Sequence, residues 1–213
     1  MSDYEAIIAS VKRTGAVVVA DELEDIFPRL DETLAKAGAT WSQVVRTWFY
    51  IKDIDAHYAR FNELRTAHFA RRGMTKLPAS TGIGLRAGPA VTAALLICDK
   101  PWSVVKSPRQ TEATTYGSSF SRAAVCGGNL YVSGTASLAG HDVAHVGDFD
   151  AQVKETLAAV ESILSAKGKS WRDVKRAIAY VKHGQKCSLP CEALVVEADV
   201  CRPEWLFELE VDA

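Results

Sequence analysis

Two stretches of this chain repeat each other at a fixed separation. "GATWSQVVRTWFYIK" (38–52) and "GKSWRDVKRAIAYVK" (168–182) share Gly38/Gly168, Trp41/Trp171, Val44/Val174, Arg46/Arg176, Tyr50/Tyr180 and Lys52/Lys182, each pair 130 positions apart. The same offset lays Leu23, Phe27, Leu30 and Leu34 on Val153, Leu157, Val160 and Leu164. That spacing has a period near 3.6, so each copy reads as an amphipathic helix, a glycine-containing turn and a strand. A chain built this way folds as two related units, and the fold class is α+β, each unit a sheet with helices on one face.

The copies differ in what surrounds this shared piece. The first continues into "DIDAHYARFNELRTAHFARRG", a second helix with Tyr58, Phe61, Leu64 and Phe69 near one face. The second copy has "HGQKCSLPCEA" there instead; matching the closing segments through Pro89 and Pro203 gives an offset of 114, so 16 residues are missing. Conversely, "FSRAAVCGGNLYVSGTASL" reads as a hairpin turning at Gly127-Gly128-Asn129, and too few residues precede the first copy for an equivalent. The expected organisation is an incomplete first unit over 1–100, a linker over 101–115 and a second unit over 116–213. Incomplete sheets pair with neighbours, so a homo-oligomer is expected.

Charge narrows the partners. Lys+Arg 25 against Asp+Glu 26 leaves a net charge of −1 with no basic block, which argues against nucleic acid and anionic membrane surfaces and for a small molecule. The N-terminus has no apolar core of signal-peptide type, and no apolar run approaches the roughly 18 residues a membrane span needs, so the expected location is the cytoplasm. The five cysteines, odd in number and irregular in spacing, read as reduced thiols.

The second copy resembles the RidA/YjgF family, whose small α+β domain opens on a hairpin carrying "YVSG" (131–134) and closes on a strand holding Glu-x-Glu, here Glu208 and Glu210. The tandem arrangement resembles more specifically the chorismatases, chorismate-cleaving relatives of RidA. The stretches that carry this are "RTWFYIKDID" (46–55), "RFNELR" (60–65), "PASTGIG" (78–84), "SPRQ" (107–110), "YGSSFSRA" (116–123), "SGTASLAGHDVAHVGD" (133–148) and "ADVCRPEWLFELE" (198–210). The resemblance implies tandem RidA-like units assembled as a trimer, and cofactor-free removal of pyruvate from chorismate for secondary metabolism. It makes Glu208 the catalytic acid and places Cys201 in the same pocket, a cysteine associated with hydroxybenzoate formation.

The chemistry suits a carboxylic acid. Protonating the terminal methylene of the enolpyruvyl ether gives an oxocarbenium ion. Water then yields a dihydroxycyclohexadiene carboxylate, or the ring's own hydroxyl displaces the ether and the ring aromatises. Glu208 lies among Trp205, Leu206, Phe207 and Leu209, and burial there raises a carboxyl pKa toward neutrality. By alternation alone Leu206, Glu208 and Glu210 share one face and Trp205, Phe207, Leu209 and Val211 the other, which equally fits a glutamate facing water. Chorismate is a dianion, so cations and donors must meet its carboxylates. The candidates are Arg122, Tyr116, Ser133, Gly134 and Thr135, with Arg109 and Arg202 behind them.

One departure stands out: the resemblance implies a carboxylate-gripping Arg on or after the second helix, and copy two lacks that region, so no position is expected to inherit the role. Such a chain could instead hydrolyse enamines or imines as RidA does, or bind a small acid without turnover. His183, Cys187 and Cys191, with Cys201, form a loose zinc-like spacing without a C-x2-C knuckle and read as loop residues. His141 and His145 read as loop or rim residues. No metal is expected.

Overall fold

The structure is a computed structural model that describes residues 2–13 and 15–213. Along the chain, α1 (Asp3–Lys12) and β1 (Ala16–Ala20) precede α2 (Ile26–Lys36), β2 (Val44–Ile51), α3 (Ile54–Arg71), β3 (Ala79–Gly84) and β4 (Val91–Ile97). Then come β5 (Trp102–Val105), β6 (Ala123–Cys126), β7 (Asn129–Ala136), β8 (Leu138–Ala139), β9 (Asp142–Val143) and α4 (Phe149–Ser165). The chain ends with β10 (Arg176–Val181), β11 (Leu194–Glu197), β12 (Asp199–Val200) and β13 (Phe207–Asp212). The class is mixed α+β, and the repeated helix, turn and strand are α2 with β2 and α4 with β10. Both turns are 3₁₀ turns closed by reciprocal capping, Thr40 with Gln43 and Ser170 with Asp173, which explains why the two loops match in sequence.

The first sheet has the order β1-β4-β2-β3-β12 and the second β11-β10-β13-β7-β6-β5. Each buries one face under helices. Phe27, Leu30, Phe61 and Phe69 of α2 and α3 pack on Phe49 and Leu95, while Val153, Val160 and Leu164 of α4 pack on Leu209 and Val211. The remaining faces pack on each other through Trp48, Tyr50, Ile83, Ile178, Tyr180 and Val196, giving four layers. Being covered on both sides, β2 is buried at all eight positions. The neighbour that each incomplete sheet covers is therefore the other unit of the same chain. Ile7, Ile8 and Val11 of α1 join this inter-sheet core.

Several expectations change. The presumed linker contains β5, which pairs antiparallel with β6 from Trp102↔Cys126 to Val105↔Ala123 and forms an edge of the second sheet. β12, from the second unit, pairs with β3 of the first, so the units are laced together. Strand register sets Thr92 opposite Tyr50 and Glu208 opposite Tyr180. The closing strands therefore correspond at an offset of 116, and the prolines mislead by two. The hairpin turn is Gly127-Gly128, both at positive φ (58° and 84°), with Asn129 already in the strand. Cys98 and Cys126 are joined in a disulfide, where reduced thiols are expected from spacing alone. They lie at the ends of β4 and β6, which tertiary packing brings side by side across 28 residues of sequence.

Candidate active site

A cavity of about 230 Å³, room for one small molecule, opens where β3 of the first sheet meets β7 and β13 of the second. Glu208 lines it, 3% exposed. Its side chain points toward the first sheet, while Phe207, Leu209 and Val211 point into the α4 core. Alternation holds inside β13 and fails before it. Leu206 packs with the α4 cluster, and Trp205 turns to the pocket with its indole N–H donating to Ser137 O at 2.6 Å.

Room for the acid comes from a bulge. Between Thr135↔Leu209 and Val132↔Val211, two residues of β7, Ser133 and Gly134, stand opposite Glu210 alone. Both are tied to the other sheet: Ser80 N–H donates to Ser133 Oγ (2.9 Å) and Gly134 N–H donates to Thr81 Oγ1 (3.0 Å). The Glu208 carboxyl rests against the bare Cα of Gly134, where a Cβ would overlap Oε1. Gly134→Ala is accordingly expected to cost about 1–3 kcal/mol in urea unfolding through overpacking.

Two carboxylates on one strand face have opposite environments. Glu210 accepts from Arg46 Nη2 (2.9 Å), Trp48 Nε1 (3.0 Å) and Arg176 Nη2 (2.7 Å). Burial raises its pKa, but Arg176 and Arg46 outweigh this and hold it below the usual range. Glu208 has no hydrogen-bond donor among the described residues, and burial, reinforced by the Glu210 charge, pushes it up to about 8 against the pull of Arg46 and Arg122. A neutral carboxylic acid thus sits beside a fixed carboxylate at neutral pH, a separation typical of acid–base sites.

Around Glu208 stand cations without anions. Arg122, 3% exposed, spends its Nε and Nη2 on Thr111 O and the Tyr116 hydroxyl. Arg65, 2% exposed, donates to Asn62 Oδ1 (2.6 Å) and lies over the Phe61 and Phe120 rings, and its Nε has no partner among the described residues. Neither forms an ion pair with a carboxylate among the described residues. Burial lowers the Arg65 pKa. A buried guanidinium is costly unless something completes its hydrogen bonding, and the cavity is where a carboxylate would do so.

The family model described as endoribonuclease L-PSP matches residues 8–94, within the first unit. A "3-hydroxybenzoate synthase" of Streptomyces hygroscopicus is 29% identical over 80% of this chain and 63% of its own length. A "Chorismatase" of Streptomyces rapamycinicus is 25% identical over 80% of this chain and 64% of its own length. A solved chorismatase structure superposes with a TM-score of 0.80 at 22% identity, over 92% of this chain and 73% of that one. The chain is a relative of the chorismatase family. It spans just under two thirds of the length of these two curated relatives.

For a chorismatase relative, the residues singled out from the sequence divide clearly. Glu208, Cys201, Arg122, Tyr116 and Gly134 all line the cavity, as does Arg202, which stacks on Tyr116 and Trp205. Ser133 and Thr135 do not. Thr135 lies opposite Leu209 on the α4 side and donates to Ser133 O, while the Ser133 hydroxyl is used between Ser80 N–H and Ser121 O. Arg109 pairs at the surface with Glu155. Burial, then the Glu208 charge, pushes the Cys201 thiol up to about 12, so it stands as a neutral thiol beside Tyr58.

Cys187 and Cys191 pack under α4, apart from Cys201, and among the described residues no three His, Cys, Asp or Glu side chains gather as for a metal. Among the cavity-lining residues that sequence reasoning misses are Tyr58, Asn62 and Arg65, all on α3. Copy two lacks the helix, and copy one's helix reaches across to supply an arginine. One signal was available: Arg65 stands four positions after Phe61 and four before Phe69, a charge in the middle of the apolar face.

Proposed function

We propose that this chain cleaves the enolpyruvyl ether of chorismate, releasing pyruvate and 3-hydroxybenzoate, with Glu208 as proton donor and no cofactor. The observation that carries this is one neutral, buried carboxylic acid sharing a small cavity with two buried arginines that lack carboxylate partners. Arg65 and Arg122 fit the two substrate carboxylates, and Tyr116 holds Arg122 in place. Glu208 delivers its proton to the methylene carbon, which becomes the methyl of pyruvate. The adjacent ring hydroxyl displaces the activated ether, and aromatisation releases a ring proton that restores Glu208. Trp205, Tyr58 and Cys201 form a wall that favours this internal displacement over attack by water. The named 3-hydroxybenzoate synthase among the relatives supports that product.

Coupling pyruvate release to a dehydrogenase assay, with chromatography of the aromatic product, tests the reading. No pyruvate from folded protein overturns it and leaves acid binding or enamine hydrolysis. A dihydroxycyclohexadiene carboxylate in place of the benzoate would overturn the product assignment alone. The pH profile follows from Glu208: the acid must be protonated, and it is pushed up to about 8. The rate constant kcat is expected to be level in the neutral range and to fall about tenfold per pH unit on the alkaline side of that value.

A further inference from the structure

Thr81, on β3 of the first sheet, is 1% exposed, and its side chain does not line the cavity, although Ser80 and Gly82 beside it do. Its hydroxyl nonetheless stands where three structural lines meet. It accepts from Gly134 N–H (3.0 Å), and from Arg46 Nη2 (2.6 Å), the same nitrogen that reaches Glu210 at 2.9 Å. It also helps hold Glu210 ionised. Gly134 is the bulge residue against which Glu208 Oε1 lies, and Glu210 is the fixed charge two positions along the same strand. The second unit's acid is thus seated by a hydroxyl of the first.

We propose that Thr81 is a positioning residue for Glu208: by taking up the Gly134 N–H it keeps the bulge open and denies that donor to the Glu208 carboxylate. This rests on Glu208 being the acid of the proposed reaction. In a strand without the bulge, Gly134 N–H would be spent in the ladder. With the bulge and without Thr81, it becomes a free donor on the residue against which Oε1 lies, open to an ionised carboxylate that turns toward it. Loss of the hydroxyl should therefore lower the Glu208 titration midpoint and remove the acid at neutral pH. The other groups facing Glu208 remain: Glu210 on its own strand, Arg46 on β2, Tyr116 and Arg122 from the segment before β6, Tyr58 and Arg65 from α3, and Cys201 and Arg202 from the closing loop.

The test compares Thr81→Val, Thr81→Ala and Thr81→Ser. Each is assayed for kcat, KM and the alkaline limb of the chorismate reaction, and for the Glu208 carboxyl titration by ¹³C NMR without substrate. Valine and alanine are expected to lower kcat tenfold or more, with KM within threefold, and to move both the alkaline limb and the NMR midpoint to lower pH. Serine, which keeps the hydroxyl, should stay within threefold of the parent. Alanine serves if the valine protein does not fold. An unchanged midpoint in the alanine or valine protein overturns the proposal, as does a serine protein as impaired as alanine. If the parent makes no pyruvate, the proposed reaction falls, and the NMR midpoints alone decide whether Thr81 positions Glu208.

Discussion

Glu208→Gln is expected to abolish pyruvate release, lowering kcat by about a thousandfold or more, and at the same time to make the protein more stable above neutral pH. The first effect follows from the proposed reaction: the amide fits the same space against Gly134 but holds no acidic proton. General acid catalysis of this kind supplies about 10²–10⁴ in rate. The second follows from linkage. The folded carboxyl titrates near 8 and the unfolded one near 4.5, so the unfolded state gains from ionisation over a pH range in which the folded state does not. Stability is thus fully kept below the unfolded value and lost as pH rises toward the folded one. At pH 7 that loss is about 3 kcal/mol, and glutamine removes it. Urea unfolding of both proteins across pH 5 to 8 should show the glutamine protein gaining its advantage steadily with pH. A constant difference would mean that Glu208 is already ionised in the native state.

The repeat was legible in the sequence because its ingredients are local: an apolar period of 3.6, a capped turn and a strand. Its consequence was not. Offset 130 pairs Tyr50 with Tyr180 and Arg46 with Arg176, and in the structure the two tyrosine hydroxyls lie 3.2 Å apart while both arginines grip Glu210. Equivalent residues meet because the two sheets pack face to face about a local pseudo-twofold, and only tertiary structure states that. Ser133, Gly134 and Thr135 are all expected at the pocket because they share the strand that neighbours Glu208. A bulge, invisible to alternation, decided which of the three reached it. The disulfide and β5 were hidden for the same reason, since both depend on which strand ends become neighbours.

The pseudo-twofold also shows why there is one acid. Thr92 occupies in the first sheet the register position of Glu208, and its hydroxyl meets that of Tyr4 from α1 at 3.1 Å. The side of the sandwich without an acid is filled by α1, whose Ile7, Ile8 and Val11 enter the inter-sheet core. The side with the acid is left hollow, and α3 is present on that side and missing from the other unit. Among the described residues the two units are therefore complementary: one carries the acid, the other the helix that faces it.

Arg65 is where that complementarity is tested most severely. Arg65→Met is expected to lower kcat/KM for chorismate about a hundredfold or more, since removing one partner of a buried, hydrogen-bonded charge pair costs about 2–5 kcal/mol. The free protein should respond in the opposite direction. Arg65 carries a buried charge with no carboxylate partner among the described residues, so a methionine of similar shape over Phe61 and Phe120 removes a desolvation cost. Replacing buried ionic groups by apolar ones is neutral or stabilising by about 1–4 kcal/mol. Thermal melts should then show the methionine protein equal to or above the parent without ligand, and below it when chorismate or a dicarboxylate analogue saturates the parent. A purely structural arginine would give the reverse pattern, with lower stability and an unchanged KM. That outcome would return the carboxylate-binding role to Arg122 and Arg202, and would mean that α3 serves the second unit only as packing.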